Sequence, residues 1–551
     1  METIVELFLN STEKYKDKIS LQKFFEDEKK EIFYFEVREN VEKIIFWLKN
    51  QNLEKGTHIG IYSENRPEWV YAYFGILGIG GVVVGIDVNL KPQEVLFILQ
   101  HAEIKIIFVS QNALPNLLKI KAQTNLEKII CFDDIEEKEV ISLSELLKEK
   151  HFPFSYPEIS PQDLAMLVYT SGTTGNPKAV MLSHKNITSN IKMILQVFQW
   201  DQRDNFLSLL PLAHIFELTC GFLTPFSQGA RITYVDSLKP ENILKIMQKT
   251  KVTFMMVVPG ILRLFRLEIL KEIRKLSLTK KAIFYICFFI CAFFRIFNLN
   301  LGKILFRKIH RQFGKIKYLV SGGAPLSPFL IWWFDVLGIN ILQGYGLTET
   351  SPVVSVNLPL ENRIGSVGKP LPGVKVKIKD NLEEGEILVK GENVMLGYYK
   401  NPQETERVLK DGWLYTGDIG KIDSHGFLYI LGREKDVIVL QSGLKVYPEE
   451  LEEELLKSPF IRDVCIIGKR KWGESEEKVH ALIVVNEETL GLSLSSAREK
   501  IREIIGKEIK NLNSRISVYK RIDSFELREE LPKTATKKIK KELIRKYEVN
   551  N

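Results

Sequence analysis

Between about residues 55 and 345 the chain alternates short β-rich runs with longer helical stretches, and this rhythm restricts the possible fold more than any other feature. HIGIY near 58, IKIIFV near 104, LAMLVYT near 164, VTFMMVV near 252 and IKYLVSGG near 316 read as buried strands. Segments such as RPEWVYAYFGILGIG and HKNITSNIKMILQVF, which lie between these runs, read as helices. Strand–helix alternation of this kind predicts α/β architecture with largely parallel sheets. At 551 residues the chain exceeds a single core and needs roughly three to four domain-sized units. From about 364 to 400 the texture shifts to short strands with Gly and Pro turns, SVGKPLPGVKVKIKD and GEILVKGENVMLGYY, which predict a small β-barrel-like unit. After Gly432 come ILGREKDVIVL, YPEELEEELLKS, VCIIG and VHALIVV, the pattern of a small separate α+β domain. The expected division is therefore 1–432, a large domain of α/β subdomains plus the β unit, followed by 433–551.

Composition excludes several classes. At 45% hydrophobic and 26% charged residues the chain is an ordinary globular protein. Its five cysteines are scattered and odd in number, which argues against a disulfide framework and suits a reducing compartment. No HxxxH or CxxC pair suggests zinc. The opening METIVELFLNSTEKYKDK lacks a basic region followed by an apolar one, so a cytoplasmic location is expected. Charge is uneven. Leu262 to Lys317 holds 14 Lys or Arg against Glu268 and Glu272, more than the net +8 of the whole chain. Inside that segment lies AIFYICFFICAFF, Ala282 to Phe294, 13 residues without a charge. A span needs roughly 18–20, so the run is either an interfacial segment or a buried helix. Lys280, Lys281, Lys303, Arg307, Lys308 and Arg311 flank it, and 280–311 is a candidate for peripheral contact with anionic lipid at the inner face of a membrane. A nucleic-acid partner is not expected, because the basic excess sits on an apolar segment and accompanies no recognition module.

The strongest local signal is YTSGTTGNPKAVMLSH, Tyr169 to His184: a strand, a Ser/Thr/Gly loop closed by Pro177 and Lys178, then a helix. Glycines let successive N–H groups converge on an anion, and hydroxyls and a lysine add donors and charge, so a polyphosphate is the natural guest. Thr170, Ser171, Gly172, Thr173, Thr174, Gly175 and Lys178 are the candidates. The loop is not a Walker A motif, since Asn176 follows Gly175, and GIGGVV at 78–83 does not complete G-x-G-x-x-G.

SGGAPLS (321–327), GYGLTETSP (344–352), YTGDIG (415–420), GREKDVIVLQSGLKVYPEELE (432–452) and LPKTATKKIKK (531–541) follow in order. With these motifs the sequence resembles the adenylate-forming superfamily over roughly residues 10 to 545, and FLSLLPLAHIFELTCGFLTPF (206–226) resembles the bacterial long-chain fatty-acid ligases. The resemblance implies an ATP-dependent ligase: a fatty acid becomes an acyl-adenylate and is then passed to coenzyme A, with acyl carrier protein as the alternative acceptor. An aryl or short-chain acid ligase, or a non-catalytic nucleotide-binding scaffold at a membrane, are the rival readings. By the same resemblance Gly322, Gly323, Ala324 and Pro325 line the adenine pocket, and Tyr345, between Gly344 and Gly346, stacks on the base. Thr348 faces the phosphates, Glu349 with Thr170 holds Mg²⁺, and Asp418 and Arg433 hold the ribose.

The family's tail reads roughly L-P-K-T-x-x-G-K-I. Here Lys537 replaces the glycine and Lys538 stands at the catalytic position, where an ammonium can bridge the carboxylate and the α-phosphate. His214 resembles the histidine beside the acyl carboxylate, and Lys435 sits at the hinge about which the C-terminal domain moves. Ser442, Gly443 and Lys445 are candidates for the path of the coenzyme A thiol. The Trp that follows the Ser-Gly pair in some long-chain relatives is absent; Leu444 follows here.

Overall fold

The structure, a computed structural model, describes residues 2–25, 28–148, 153–170, 177–297, 299–440, 444–469, 477–533 and 539–549. Two compact units account for the chain. The first comprises Met1–Gly323, Leu330–Lys375 and Val389–Leu414, and the second comprises Ala324–Phe329, Val376–Leu388 and Tyr415–Asn551.

Two large sheets build the first unit. One runs in the order Gly397–Tyr398, Lys178–Ser183, Leu164–Thr170, Val82–Ile86, His58–Tyr62, Ile106–Val109, Lys128–Cys131, Ile141–Ser142. The six strands from Leu164–Thr170 onwards are parallel, while Lys178–Ser183 returns antiparallel to Leu164–Thr170. The other orders Lys369–Pro370, Val353–Val356, Ile341–Gly346, Tyr318–Ser321, Phe254–Val257, Asn205–Ser208, Arg231–Tyr234, Ile19–Phe25, Glu28–Phe33. Its middle is parallel and its two ends turn antiparallel. Val-, Ile- and Phe-rich runs with no polar alternation are what a parallel sheet covered on both faces requires. The helix Pro67–Gly78 is buried all round, as its lack of a polar stripe predicts. Gly75 and Gly78 let it lie against Tyr34–Lys49, because a Cβ at either would fall 2.5 Å or less from Ile44 or Ile45.

The segment 364–400 does not stay together. Lys369–Pro370 ends one large sheet, Gly397–Tyr398 ends the other, and only Lys375–Ile378 and Gly385–Lys390 enter a small sheet with Trp413–Ile422 and Leu428–Arg433. Two-residue strands at sheet edges carry little pattern, so turn chemistry alone suggested one compact unit. The rest of the second unit is an α+β fold. Ile461–Lys469 pairs antiparallel with Lys478–Val485, which pairs parallel with Ser524–Leu527. The amphipathic helices Pro448–Leu455 and Arg498–Asn513 bury Leu451, Leu455, Ile501, Ile505 and Ile509 in its core.

Gly346 is a position where the backbone admits no side chain. An added Cβ would lie 1.9 Å from the Pro352 carbonyl oxygen, whereas at Gly260 nothing comes within 4 Å. Gly346→Ala is expected to cost more than about 2 kcal/mol, and Gly260→Ala, inside a helix, to be neutral or stabilising by up to about 1 kcal/mol. Denaturant midpoints compare them; equal shifts would show that the close approach at Gly346 is not rigid.

Candidate active site

In the first unit the residues singled out by motif gather at the carboxyl ends of parallel strands, where open α/β sheets bind ligands. Thr170 ends Leu164–Thr170, Gly322 and Gly323 follow Tyr318–Ser321, and Gly344, Tyr345 and Gly346 end Ile341–Gly346. His214 lies in the loop after Asn205–Ser208, and Asp87 follows Val82–Ile86 on the other sheet. His214 Nε2 and Asp87 Oδ2 are 2.9 Å apart and hydrogen-bonded. Burial pushes the Asp87 carboxyl up, but His214 and the Asn89 amides outweigh it and leave the pKa below the ordinary value. The ring thus has a fixed anchor on one nitrogen while its side chain keeps 28% exposure.

Two more residues hold this junction. Asn65 Nδ2 donates to Ser208 Oγ at 2.9 Å and to the Leu210 carbonyl at 2.6 Å, and its Oδ1 accepts from the Leu212 N–H at 2.8 Å. Gly85 permits the contact, for a Cβ there would be 3.0 Å from the Ala213 Cα. Nothing in the sequence around Asn65 or Asp87 marks them for this role, which only the meeting of two distant strand ends explains.

The phosphate-loop candidates divide. Ser171, Gly172, Thr173, Thr174 and Gly175 lie outside the described residues, whereas Thr170 and Lys178 are directly paired across the hairpin that carries them. Thr170 Oγ1 donates weakly to the Lys178 carbonyl at 3.5 Å. Lys178 forms an ion pair with Glu404, which also pairs with Arg407. Hydrogen bonding from Arg407, helped by Lys178 against the opposing effect of burial, lowers the Glu404 pKa to about 2. Lys178 Nζ also lies 5.3 Å from the centre of the Tyr398 ring. Tyr398 is placed there because Gly397–Tyr398 pairs with Lys178–Ser183, and its hydroxyl donates to Glu349 Oε1 at 2.7 Å. Burial and the Glu349 charge push the Tyr398 pKa far up, so the phenol stays a donor. Glu349 and Thr348 belong to the single turn Thr348–Thr350. Asn393 fastens that turn by donating to the Thr350 carbonyl at 2.9 Å, while Ser351 Oγ donates to the Asn393 carbonyl at 2.8 Å.

One acid in this unit was not anticipated. Glu217, three residues after His214, is fully buried in a π-helical turn, Glu217–Leu223, and Gly221 leaves room for its carboxyl. Neither oxygen has a hydrogen-bond partner among the described residues. Burial raises its pKa to about 8. A lone acid inside FLSLLPLAHIFELTCGFLTPF was the available signal.

In the second unit Asp418 and Arg433 are register partners on adjacent strands, with Arg433 Nε 3.1 Å from Asp418 Oδ1. Ala324 and Pro325 belong to this unit, while Gly322 and Gly323 belong to the first. Lys435 lies in the turn Glu434–Asp436, and its carbonyl accepts from Arg545 of the helix Lys541–Val549. Lys445 is exposed, opposite Val439 in a short hairpin, while Ser442 and Gly443 lie outside the described residues. So do Lys537 and Lys538. On either side of them Lys533 bridges to Ile539, and Lys533 Nζ lies 2.8 Å from Asp463. Lys541 is buried between Glu449 at 3.0 Å and Glu452 at 2.9 Å. Burial alone would depress its pKa, but the two carboxylates outweigh that and raise it. Among the described residues one cluster, His480, Glu526 and Glu548, has metal-ligand spacing, but Lys469 and Arg528 already pair with Glu548.

Comparison with known proteins identifies the family. The profile of the AMP-binding enzyme family matches residues 8–399, and that of the AMP-binding enzyme C-terminal domain matches 435–550. A long-chain-fatty-acid–CoA ligase of Bacillus subtilis is 27% identical, covering 100% of this chain and 95% of its own length. A chloroplastic long-chain-fatty-acid–[acyl-carrier-protein] ligase, AEE15, of Arabidopsis thaliana is 28% identical over 94% of this chain and 81% of its own. Among solved structures, the anthranilate CoA ligase AuaEII in complex with anthranoyl-AMP has the same fold, with a TM-score of 0.83, 23% identity and coverage of 100% and 97% of the two chains.

Glu217 supplies a test of the electrostatics. A carboxyl whose pKa rises from 4.5 to about 8 on folding holds a proton the unfolded chain releases, so its contribution to stability is full below 4.5 and lost as pH climbs towards 8. Glu217→Gln, which mimics the neutral acid, is expected to match wild type near pH 5. It should exceed wild type by about 2–4 kcal/mol near pH 8, since each tenfold change in proton affinity is worth about 1.4 kcal/mol. Parallel stability–pH curves for the two proteins would show that Glu217 is ionised in the fold. By its matched profiles and its curated relatives the chain belongs to the AMP-binding enzyme family and is an AMP-forming ligase.

Proposed function

We propose that this ligase activates a long-chain fatty acid with ATP and transfers the acyl group to coenzyme A. The observation that carries the reading is the Asp87–His214 pair at the junction of the two sheets, because it offers a fixed polar contact for a carboxylate within an otherwise apolar segment. The names of the relatives point the same way.

In the first half-reaction a carboxylate oxygen attacks the α-phosphorus of ATP, the bond to the bridging oxygen breaks, and pyrophosphate leaves. His214 orients the carboxylate. Thr170, Ser171, Gly172, Thr173, Thr174, Gly175 and Thr348 donate to the phosphates, and Lys178 exchanges Glu404 for phosphate. Gly322, Gly323, Ala324 and Pro325 border the adenine, Tyr345 stacks on it between Gly344 and Gly346, and Asp418 and Arg433 take the ribose. Hard oxygen donors suit Mg²⁺, so Glu349, which has Oε1 occupied by Tyr398, would hold the ion with Thr170. When bound, the ion neutralises phosphate charge. Lys538 bridges the carboxylate and the α-phosphate as charge shifts between them. In the second half-reaction the thiol of coenzyme A, led past Ser442, Gly443 and Lys445, attacks the acyl carbon. The carbon–oxygen bond to phosphate breaks, AMP leaves and the thiol proton is lost to solvent. Between the two steps the domain 433–551 turns about Lys435 relative to 1–432. The enzyme works in the cytoplasm, at the inner face of the membrane that holds its substrate.

A ladder of fatty acids, offered with coenzyme A or with acyl carrier protein, tests the reading. Each buried methylene contributes about 0.8 kcal/mol, so kcat/KM is expected to climb steadily from medium to long chains with coenzyme A. A maximum at acetate or an aromatic acid would discard the fatty-acid assignment, and thioester formed only on the carrier protein would move the acceptor.

A further inference from the structure

The uncharged run Ala282–Phe294 is part of a 19-residue helix, Leu278–Ile296, in the first unit. One face of that helix is packed. Phe284 meets Phe306 with ring centres 5.2 Å apart, Phe288 meets Trp332 at 5.7 Å, Cys291 is buried, and Arg295 Nε donates to Asp335 Oδ2 at 2.7 Å. Positions 284, 288, 291 and 295 fall on one side of an α-helix. The opposite side is bare: Ile286 is 58% exposed, Phe289 71%, Phe293 56% and Ile296 75%. Among the described residues no helix is long and apolar enough to cross a membrane.

Contiguous exposed Phe and Ile side chains mark an interaction surface, and charge indicates what covers this one. Lys280 lies in the helix's first turn, and exposed Lys303, Arg307, Lys308 and Arg311 follow the helix in sequence. The only acids from Leu262 to Lys317, Glu268 and Glu272, are engaged by Lys271 and Lys275. A second copy meeting this face about a two-fold axis would set one strongly basic segment against its equal. An anionic bilayer satisfies both features, accepting aromatic side chains below the headgroups and attracting the lysines and arginines above.

We infer that Leu278–Ile296 is an in-plane docking helix: Ile286, Phe289, Phe293 and Ile296 enter an anionic lipid surface while Phe288, Cys291 and Arg295 hold the helix to the body of the enzyme. The surface stands on its own geometry. Its use, drawing substrate from the bilayer, rests on the fatty-acid reading.

The test is co-sedimentation of the full chain with vesicles of phosphatidylcholine alone or of equal parts phosphatidylcholine and phosphatidylglycerol. Wild type and the triple variant Ile286→Ser, Phe289→Ser, Phe293→Ser are compared, since these exposed positions leave the packed face intact. Wild type is expected to pellet with the anionic vesicles at least about tenfold more than with neutral ones, and high salt should weaken it. The variant is expected to lose about tenfold or more of that binding, yet keep wild-type ligase activity on dispersed fatty acid without vesicles. Equal binding to both vesicle types, a variant that pellets like wild type, or a lipid-free wild-type dimer that the variant dissolves would overturn the docking helix. Docking that behaves as expected in a protein that activates no fatty acid would instead overturn the fatty-acid reading alone.

Discussion

Two largely parallel sheets present carboxyl ends of their parallel strands to one another, and the site depends on how that junction is held. Loops at strand ends carry backbone groups that neither sheet can pair, and leaving them buried and unmet would cost about 1–3 kcal/mol apiece. Asn65 answers part of that need by capping Leu210 and Leu212 from the opposite sheet, and Asp87 does the same for the His214 ring. Gly85 allows both by bringing its strand within contact of Ala213. A histidine set between apolar neighbours thereby has one ring nitrogen anchored, as its proposed role of positioning a carboxylate requires.

A comparable logic organises the end of the second unit. Lys541 lies between Glu449 and Glu452, and Lys533 engages Asp463 and bridges to Ile539, so the chain is anchored on both sides of residues 534–538. Removing one partner from such a buried group is worth about 3–5 kcal/mol. In a tail crowded with cations, burial between two carboxylates marks Lys541 as an anchor.

Strands and helices were legible because apolar runs of four to eight residues admit few other structures, and LAMLVYT reappears as Leu164–Thr170 without change. Asp418 and Arg433 were legible as motif residues, and their pairing follows from a hairpin. Asn65, Asp87, Tyr398 and Glu404 were not, because each acts on a residue distant in the chain and nothing local marks it. The dispersal of 364–400 among sheets escaped for the same reason. The helix Leu278–Ile296 is apolar on every side, so pattern could not choose between burial and exposure; Trp332, Trp333 and Asp335 choose, by covering one face only.

In the proposed mechanism adenylation and thioester formation use different parts of one chain, and Lys538 serves only the first. Fatty-acid-dependent exchange of pyrophosphate into ATP reports adenylation, and single-turnover thioester formation from supplied acyl-adenylate reports the second step. Lys538→Ala is expected to lower the exchange by about 10²-fold or more, the usual loss for one charge-stabilising donor, and to leave thioester formation near wild type. Equal loss in both steps, or an exchange rate untouched by the substitution, would contradict this division of labour.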